Sequence, residues 1–169
     1  MLSPVRILGV CGSLQAESAN LALLRTAAAS APNGVDVVLY EGLRQLPHFD
    51  PDVEASGEPA SVREWRQALA DSDAVLFASP EYGHSLPGAL KNAIDWVIGS
   101  GELERKVVAI TAAVPGPERG RLGLQALRQT LGAVRATIVG GEPIARGPDF
   151  ERRVAELVRE LTEAVRRGG

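Results

Sequence analysis

Along this chain, apolar runs of strand length alternate with longer segments in which apolar residues recur every three or four positions. Val5 to Val10 reads as the first strand. Ser18 to Ala31 follows as a helix, with Leu21, Leu24 and Ala28 at helical spacing, and Pro32-Asn33-Gly34 closes it as a turn. Val35 to Tyr40 is the second strand, and Leu46 to Gly57 reads as loop because Pro47 and Pro51 oppose regular helix. Ser61 to Ala70 is predicted as the second helix and Ala74 to Ala78 as the third strand. Pro87 to Ile98 is the third helix, with Leu90, Ala93, Ile94 and Val97 as its buried stripe. Lys106 to Ala113 then makes the fourth strand, Gly120 to Leu131 a helix, Ala136 to Val139 the fifth strand, and Phe150 to Arg166 the final helix.

Five strands alternating with five helices, the strands continuous in Val, Ile and Leu, predict a parallel sheet covered on both faces. The expected class is α/β, a doubly wound three-layer sandwich. The five-stranded order 2-1-3-4-5 matches the element count, whereas the six-stranded dinucleotide order requires a strand the pattern lacks. No repeat or linker divides the chain, so residues 1–169 are expected to form a single domain. That length is enough to bury roughly 70% of the surface of the unfolded chain.

Composition narrows the function. The 18 basic and 21 acidic residues are spread evenly and leave a net charge of −3, which argues against nucleic acid and against a polybasic membrane surface. No apolar stretch has the length of a membrane span, and the first residues lack the basic-then-apolar order of an export signal. Cys11 is the sole cysteine, so no disulfide can form within the chain, a cysteine metal site is not expected, and a reducing cytoplasm is the expected setting.

Two loops hold the candidate chemistry. The first strand runs into Gly12-Ser13-Leu14-Gln15-Ala16-Glu17-Ser18-Ala19-Asn20, a Gly and Ser turn feeding a helix. A helix amino terminus has unpaired N–H groups and about half a positive charge, so it attracts phosphate, and Ser13, Ser18 and Asn20 would add side-chain donors. The alternative is an ordinary helix cap made by Ser18 or Ser13. The spacing fits neither the dinucleotide glycine pattern nor the Walker pattern, so any phosphate here belongs to a mononucleotide. The second loop, Pro80-Glu81-Tyr82-Gly83-His84-Ser85-Leu86-Pro87-Gly88, follows the third strand and leads into Ala89-Leu90-Lys91-Asn92-Ala93-Ile94-Asp95-Trp96. Loops at the carboxyl ends of parallel strands border the ligand crevice.

Together these two segments resemble the NADPH-dependent FMN reductase family, flavodoxin-like proteins that include quinone, chromate and azo-dye reductases. The resemblance covers most of the chain and implies a flavodoxin-like fold, FMN as cofactor and NADPH or NADH as co-substrate. It also implies a small-molecule electron acceptor and a homodimer or homotetramer. It assigns Ser13, Ser18 and Asn20 to the FMN phosphate, and Pro80, Glu81, Tyr82 and Gly83 to the flavin ring and ribityl side. Three positions depart from the family pattern. Gln15 stands where Arg is common, and a neutral amide cannot make a charge-assisted bond to phosphate. Gly83 replaces Asn, so contact there must come from backbone. The third loop, Ala112 to Gly120, keeps Gly116 and Gly120 but has no serine.

Hydride transfer through a flavin needs no protein nucleophile, and the chain offers no triad, no catalytic side chain and no metal spacing for His48 or His84. His48 reads as a surface or interface residue, and His84 as a loop residue beside the acceptor side or solvent. Cys11 reads as a small buried hydrophobe, Lys91 and Asp95 as a helical surface pair, and Trp65 and Trp96 as packing or interface residues. Arg119 and Arg121 are candidates for the extra phosphate of NADPH. Two other readings stay open. One is an electron-transfer flavodoxin, which the mild charge and 4% aromatic content fit poorly. The other is a flavin-free binding or regulatory protein on the same fold.

Overall fold

Continuous apolar strands bury both faces, and β3 (Ala74–Ala78) is the extreme case, with all five residues buried. Its neighbours are β1 (Val5–Cys11) and β4 (Val107–Val114), flanked in turn by β2 (Val35–Tyr40) and β5 (Thr137–Ala145). The computed structural model describes residues 2–168; Met1 and Gly169, the ends of the expected 1–169 domain, lie outside the described residues. All pairs are parallel and the order is β2-β1-β3-β4-β5, as the alternation predicts.

Helices cover both faces. On one side α1 (Ala19–Ala29) and α6 (Phe150–Arg166) set Leu23, Leu24, Val154 and Leu161 against Ile7 and Leu76. On the other, α3 (Ala60–Ala70), α4 (Gly88–Asp95) and α5 (Arg121–Ala133) set Trp65, Leu90, Ile94 and Leu127 against Val10, Phe77 and Ile110. Each of these fully buried large side chains contributes about 1.5–3 kcal/mol relative to exposure. Trp65 and Trp96 are fully buried, so both are packing residues with no surface left for a partner. Their indole N–H groups donate to the Ala93 and Pro47 carbonyls at 2.9 and 2.8 Å.

Three elements depart from the expected boundaries. Within the expected loop, Pro51–Ser56 forms a short helix, α2. Pro51 opens it instead of blocking it, because a first-turn residue needs no N–H acceptor, and Asp50 caps it by accepting from Asp52 N at 2.9 Å. Helix α4 is shorter than Pro87 to Ile98 and passes into turns after Asp95. Strand β5 runs well past Val139. Gly140 and Gly141 adopt φ of 68° and 122°, and the pairing shifts register between Ile110 and Ala112 before resuming at Pro143. An edge strand tolerates such a bulge and a proline.

Candidate functional site

The sheet order reverses between β1 and β3, so the chain leaves these neighbouring strands toward opposite faces and opens a crevice at their carboxyl ends. Cys11 and Ala78 are paired in register, and Gly12 N donates to Ala78 O at 2.8 Å. The two candidate loops therefore start side by side. A Cβ on Gly12 would lie 2.7 Å from Ser79 Oγ and 3.1 Å from Ser79 Cβ, so glycine lets the two strand ends approach closely without displacing Ser79. The end of β4, which leads into the third loop, joins them through Asn20, whose Oδ1 accepts from Ala113 N at 2.9 Å.

In the first loop the cap alternative holds for Ser18. Its Oγ accepts from Leu21 N at 2.9 Å and its side chain is nearly buried, an arrangement worth about 1 kcal/mol to the helix. Asn20 is also buried and ties α1 to β4 through Oδ1, leaving Nδ2 as its amide donor. Ser13 is half-buried, and its Oγ accepts from Gln15 N at 3.1 Å. Among the described residues, the backbone N–H groups of Ser13, Leu14, Ala16 and Glu17 take no acceptor within the chain. A run of unpaired N–H groups before a helix suits an anion, so the donor set fits a phosphate. Cys11 departs from the expected buried hydrophobe: it is half-buried, with Sγ 3.5 Å from Ser18 Oγ.

The second loop is a tight turn. Tyr82 N donates to Ser85 O and Ser85 N to Tyr82 O, both at 3.0 Å. Gly83 and His84 between them have φ of 56° and 59°, the positive values of a type I′ turn. The N–H of Tyr82 is thus engaged within the turn, whereas a Cβ at Gly83 would meet nothing within 4 Å. Tyr82 and His84 are exposed at this rim. Glu81 turns the other way, its Oε1 accepting from Gly123 N at 2.6 Å. Gly120 precedes α5 at the N-cap position and offers no side-chain cap, so Glu81 caps the helix from the neighbouring loop. A Cβ on Gly123 would lie 2.9 Å from Glu81 Cβ and 3.0 Å from its Cα, which makes position 123 a contact point between the loop and α5.

Of the other candidates, Lys91 and Asp95 pair at 2.7 Å. Arg121 pairs with Glu142 at 2.9 Å, and Arg119 is exposed in the third loop. His48 is exposed beyond the 3-10 turn Leu43–Gln45. Asn92 was not singled out by sequence, yet it holds the 47–49 segment with both amide atoms, accepting from Phe49 N at 2.7 Å and donating to Pro47 O at 2.9 Å. Arg44 also had no sequence signal. Its Nη2 donates to Leu14 O at 2.7 Å across the crevice mouth. A cavity of about 180 Å³ there is lined by Cys11, Ser13, Gln15, Tyr40, Glu41 and Arg44, among others. Burial, reinforced by Glu64, pushes the Tyr40 phenol up to about 12. A cavity of about 500 Å³ beside Arg6 and Asp36 lies at the amino ends of β1 and β2, the end of the sheet remote from these loops.

The sequence model of the NADPH-dependent FMN reductase family matches residues 5–148. An NAD(P)H-dependent FMN reductase of Pseudomonas aeruginosa is 38% identical over 135 residues, covering 78% of this chain and 71% of the relative. A quinone reductase of Escherichia coli is 32% identical over 166 residues, covering 96% of this chain and 88% of the relative. Among solved structures, the flavoenzyme NAD(P)H:(acceptor) oxidoreductase FerB of Paracoccus denitrificans superposes with a TM-score of 0.81 at 26% identity, over 94% of this chain and 98% of its own. With matching strand order, two loops at the switch point and a family match over most of its length, the chain belongs to the NADPH-dependent FMN reductase family.

Proposed function

We propose that this protein is an NAD(P)H-dependent, FMN-containing reductase that passes electrons from a reduced nicotinamide to a small-molecule acceptor such as a quinone, azo compound, metal oxyanion or free flavin. The observation that carries the reading is the pair of adjacent loops, one rich in unpaired N–H groups and the other a turn closed by two backbone hydrogen bonds, in a chain of this family. FMN held by these two loops would supply the redox chemistry, hydride acceptance from the nicotinamide and electron delivery to the acceptor.

The chain's own residues bind and orient. The free N–H groups of the first loop, with Ser13 Oγ and Asn20 Nδ2, hold the phosphate. Ser18 serves that site through its cap, by fixing where α1 begins. The backbone of Pro80 to Gly83 borders the ring, and Glu81 ties that loop to the first turn of α5 through Gly123. No side chain takes part in bond making, and residues 1–169 act as one FMN-binding domain. Tyr82, Ile98 and Leu122 are exposed apolar side chains available to a homodimer or homotetramer, and sedimentation checks that assembly. The lone cysteine supports a reducing, cytoplasmic setting.

Titration of the purified protein with FMN, followed by flavin fluorescence, tests the cofactor, and nicotinamide oxidation with and without a quinone tests the reaction. We expect saturable FMN binding and acceptor-dependent turnover. Failure to bind FMN would sink the reading, and binding without nicotinamide oxidation would leave an electron carrier.

A further inference from the structure

A phosphate monoester carries about −1.5 to −2 charges near neutral pH, against which a helix terminus offers about half a positive charge. The loop from Gly12 to Asn20 contains no Lys or Arg and includes one carboxylate, Glu17. The missing cation comes from elsewhere in the fold. Arg44 stands on the 3-10 turn Leu43–Gln45, which the buried Leu43 anchors, and its Nη2 donates to the Leu14 carbonyl at 2.7 Å. Among the described residues it is the only cationic side chain lining the cavity beside Ser13 and Gln15. One of the five guanidinium N–H donors serves Leu14, and four remain. Arg146 lies on the other flank of α1, in a separate cavity with Ala19, Ala22 and Phe150.

We propose that Arg44 is the cationic partner of the cofactor phosphate, holding the loop through the Leu14 carbonyl and offering its remaining donors to the phosphate oxygens. The inference rests on the FMN reading above and adds a residue that neither loop contains. It separates two jobs that one side chain performs: a tether, which any donor can perform, and a countercharge, which only a cation can.

Binding of FMN and of riboflavin, which lacks the phosphate, distinguishes them in the wild type, Arg44→Gln and a charge-matched control, Arg135→Gln. Arg135 sits at the amino end of β5, remote from the loops, and pairs with Glu104 at 3.3 Å. Glutamine at 44 retains a donor for Leu14 but no charge. We expect Arg44→Gln to weaken FMN binding roughly tenfold, the scale of one charge-assisted hydrogen bond at a partly exposed site. Riboflavin binding stays unchanged, which also reports that the variant is folded, and FMN affinity becomes less sensitive to salt. Arg135→Gln leaves both ligands unaffected. Equal weakening of FMN and riboflavin by Arg44→Gln would reduce the residue to a tether and overturn the proposal. So would unchanged FMN binding, or an equal loss in Arg135→Gln. A wild-type protein that binds neither flavin overturns the FMN reading and this inference together, whereas wild-type FMN binding that survives Arg44→Gln overturns this one alone.

Discussion

Helix α5 contains two glycines, Gly123 and Gly132, for which the structure predicts opposite responses to alanine. Replacing glycine by alanine within a helix ordinarily stabilises by about 0.5–1 kcal/mol, because it removes backbone freedom from the unfolded chain. At Gly132 a Cβ would meet nothing within 4 Å, so Gly132→Ala keeps that gain. At Gly123 the Cβ would fall 2.9 Å from Glu81 Cβ, 3.0 Å from Glu81 Cα and 3.2 Å from its Cγ. Two of these are atoms that no rotamer change can move. The loop must shift, stretching the 2.6 Å bond from Gly123 N to Glu81, and overpacking of this kind costs about 1–3 kcal/mol. Clash exceeds propensity, so Gly123→Ala destabilises by about 0.5–2 kcal/mol. For a chain of this size, 1 kcal/mol moves Tm by about 2–4 °C. Thermal unfolding of both variants should therefore show Gly132→Ala above the wild type and Gly123→Ala below it, with weaker flavin binding only in the latter. If both variants stabilise alike and bind FMN alike, the 80–83 loop does not dock on α5 and the account of Glu81 fails.

Two further outcomes follow from single contacts. Asn20→Ala leaves the Ala113 N–H without its 2.9 Å acceptor and detaches α1 from β4, which should cost about 1–3 kcal/mol in urea unfolding; an unchanged midpoint would show that the bridge contributes nothing. Tyr40 has its pKa raised by burial and by Glu64 from 10.0 to about 12, so its neutral form is favoured in the folded state. That stability is fully present below pH 10.0 and is lost as pH rises toward 12. A tyrosinate absorbance titration should show a late-ionising group absent from Tyr40→Phe, and the variant should lose stability less steeply over that window.

Some of this was readable from local pattern and some was not. The apolar runs at 5–10, 35–40 and 74–78 mark strands because burial on both faces demands a continuous apolar sequence, and the helices between them follow from their period. Helix α2 and the extension of β5 were missed, since Pro51 and the segment Gly140-Gly141-Glu142-Pro143 contain breakers whose effect depends on position. Pro51 happens to fall in a first turn, and the Gly-Gly bulge happens to fall on a sheet edge.

The site divides in the same way. Both loops were legible, because a strand end followed by Gly, Ser and Pro before a helix is a local signal. Their internal wiring was not. The sequence carried no sign that the Glu81 carboxylate caps α5, since the residue it bonds lies 42 positions away. It offered Ser18 and Asn20 as ligands, whereas each has a structural bond to satisfy first. Arg44 gave no signal at all, standing 30 positions from the carbonyl it holds. By itself the sequence determined the element order, the sheet class and the two loops, all consequences of periodicity and of residues that break it. Only the tertiary structure decided which donors stay unpaired and which distant charge stands beside them, because hydrogen bonds and Coulomb forces act across space between residues that chain order does not relate.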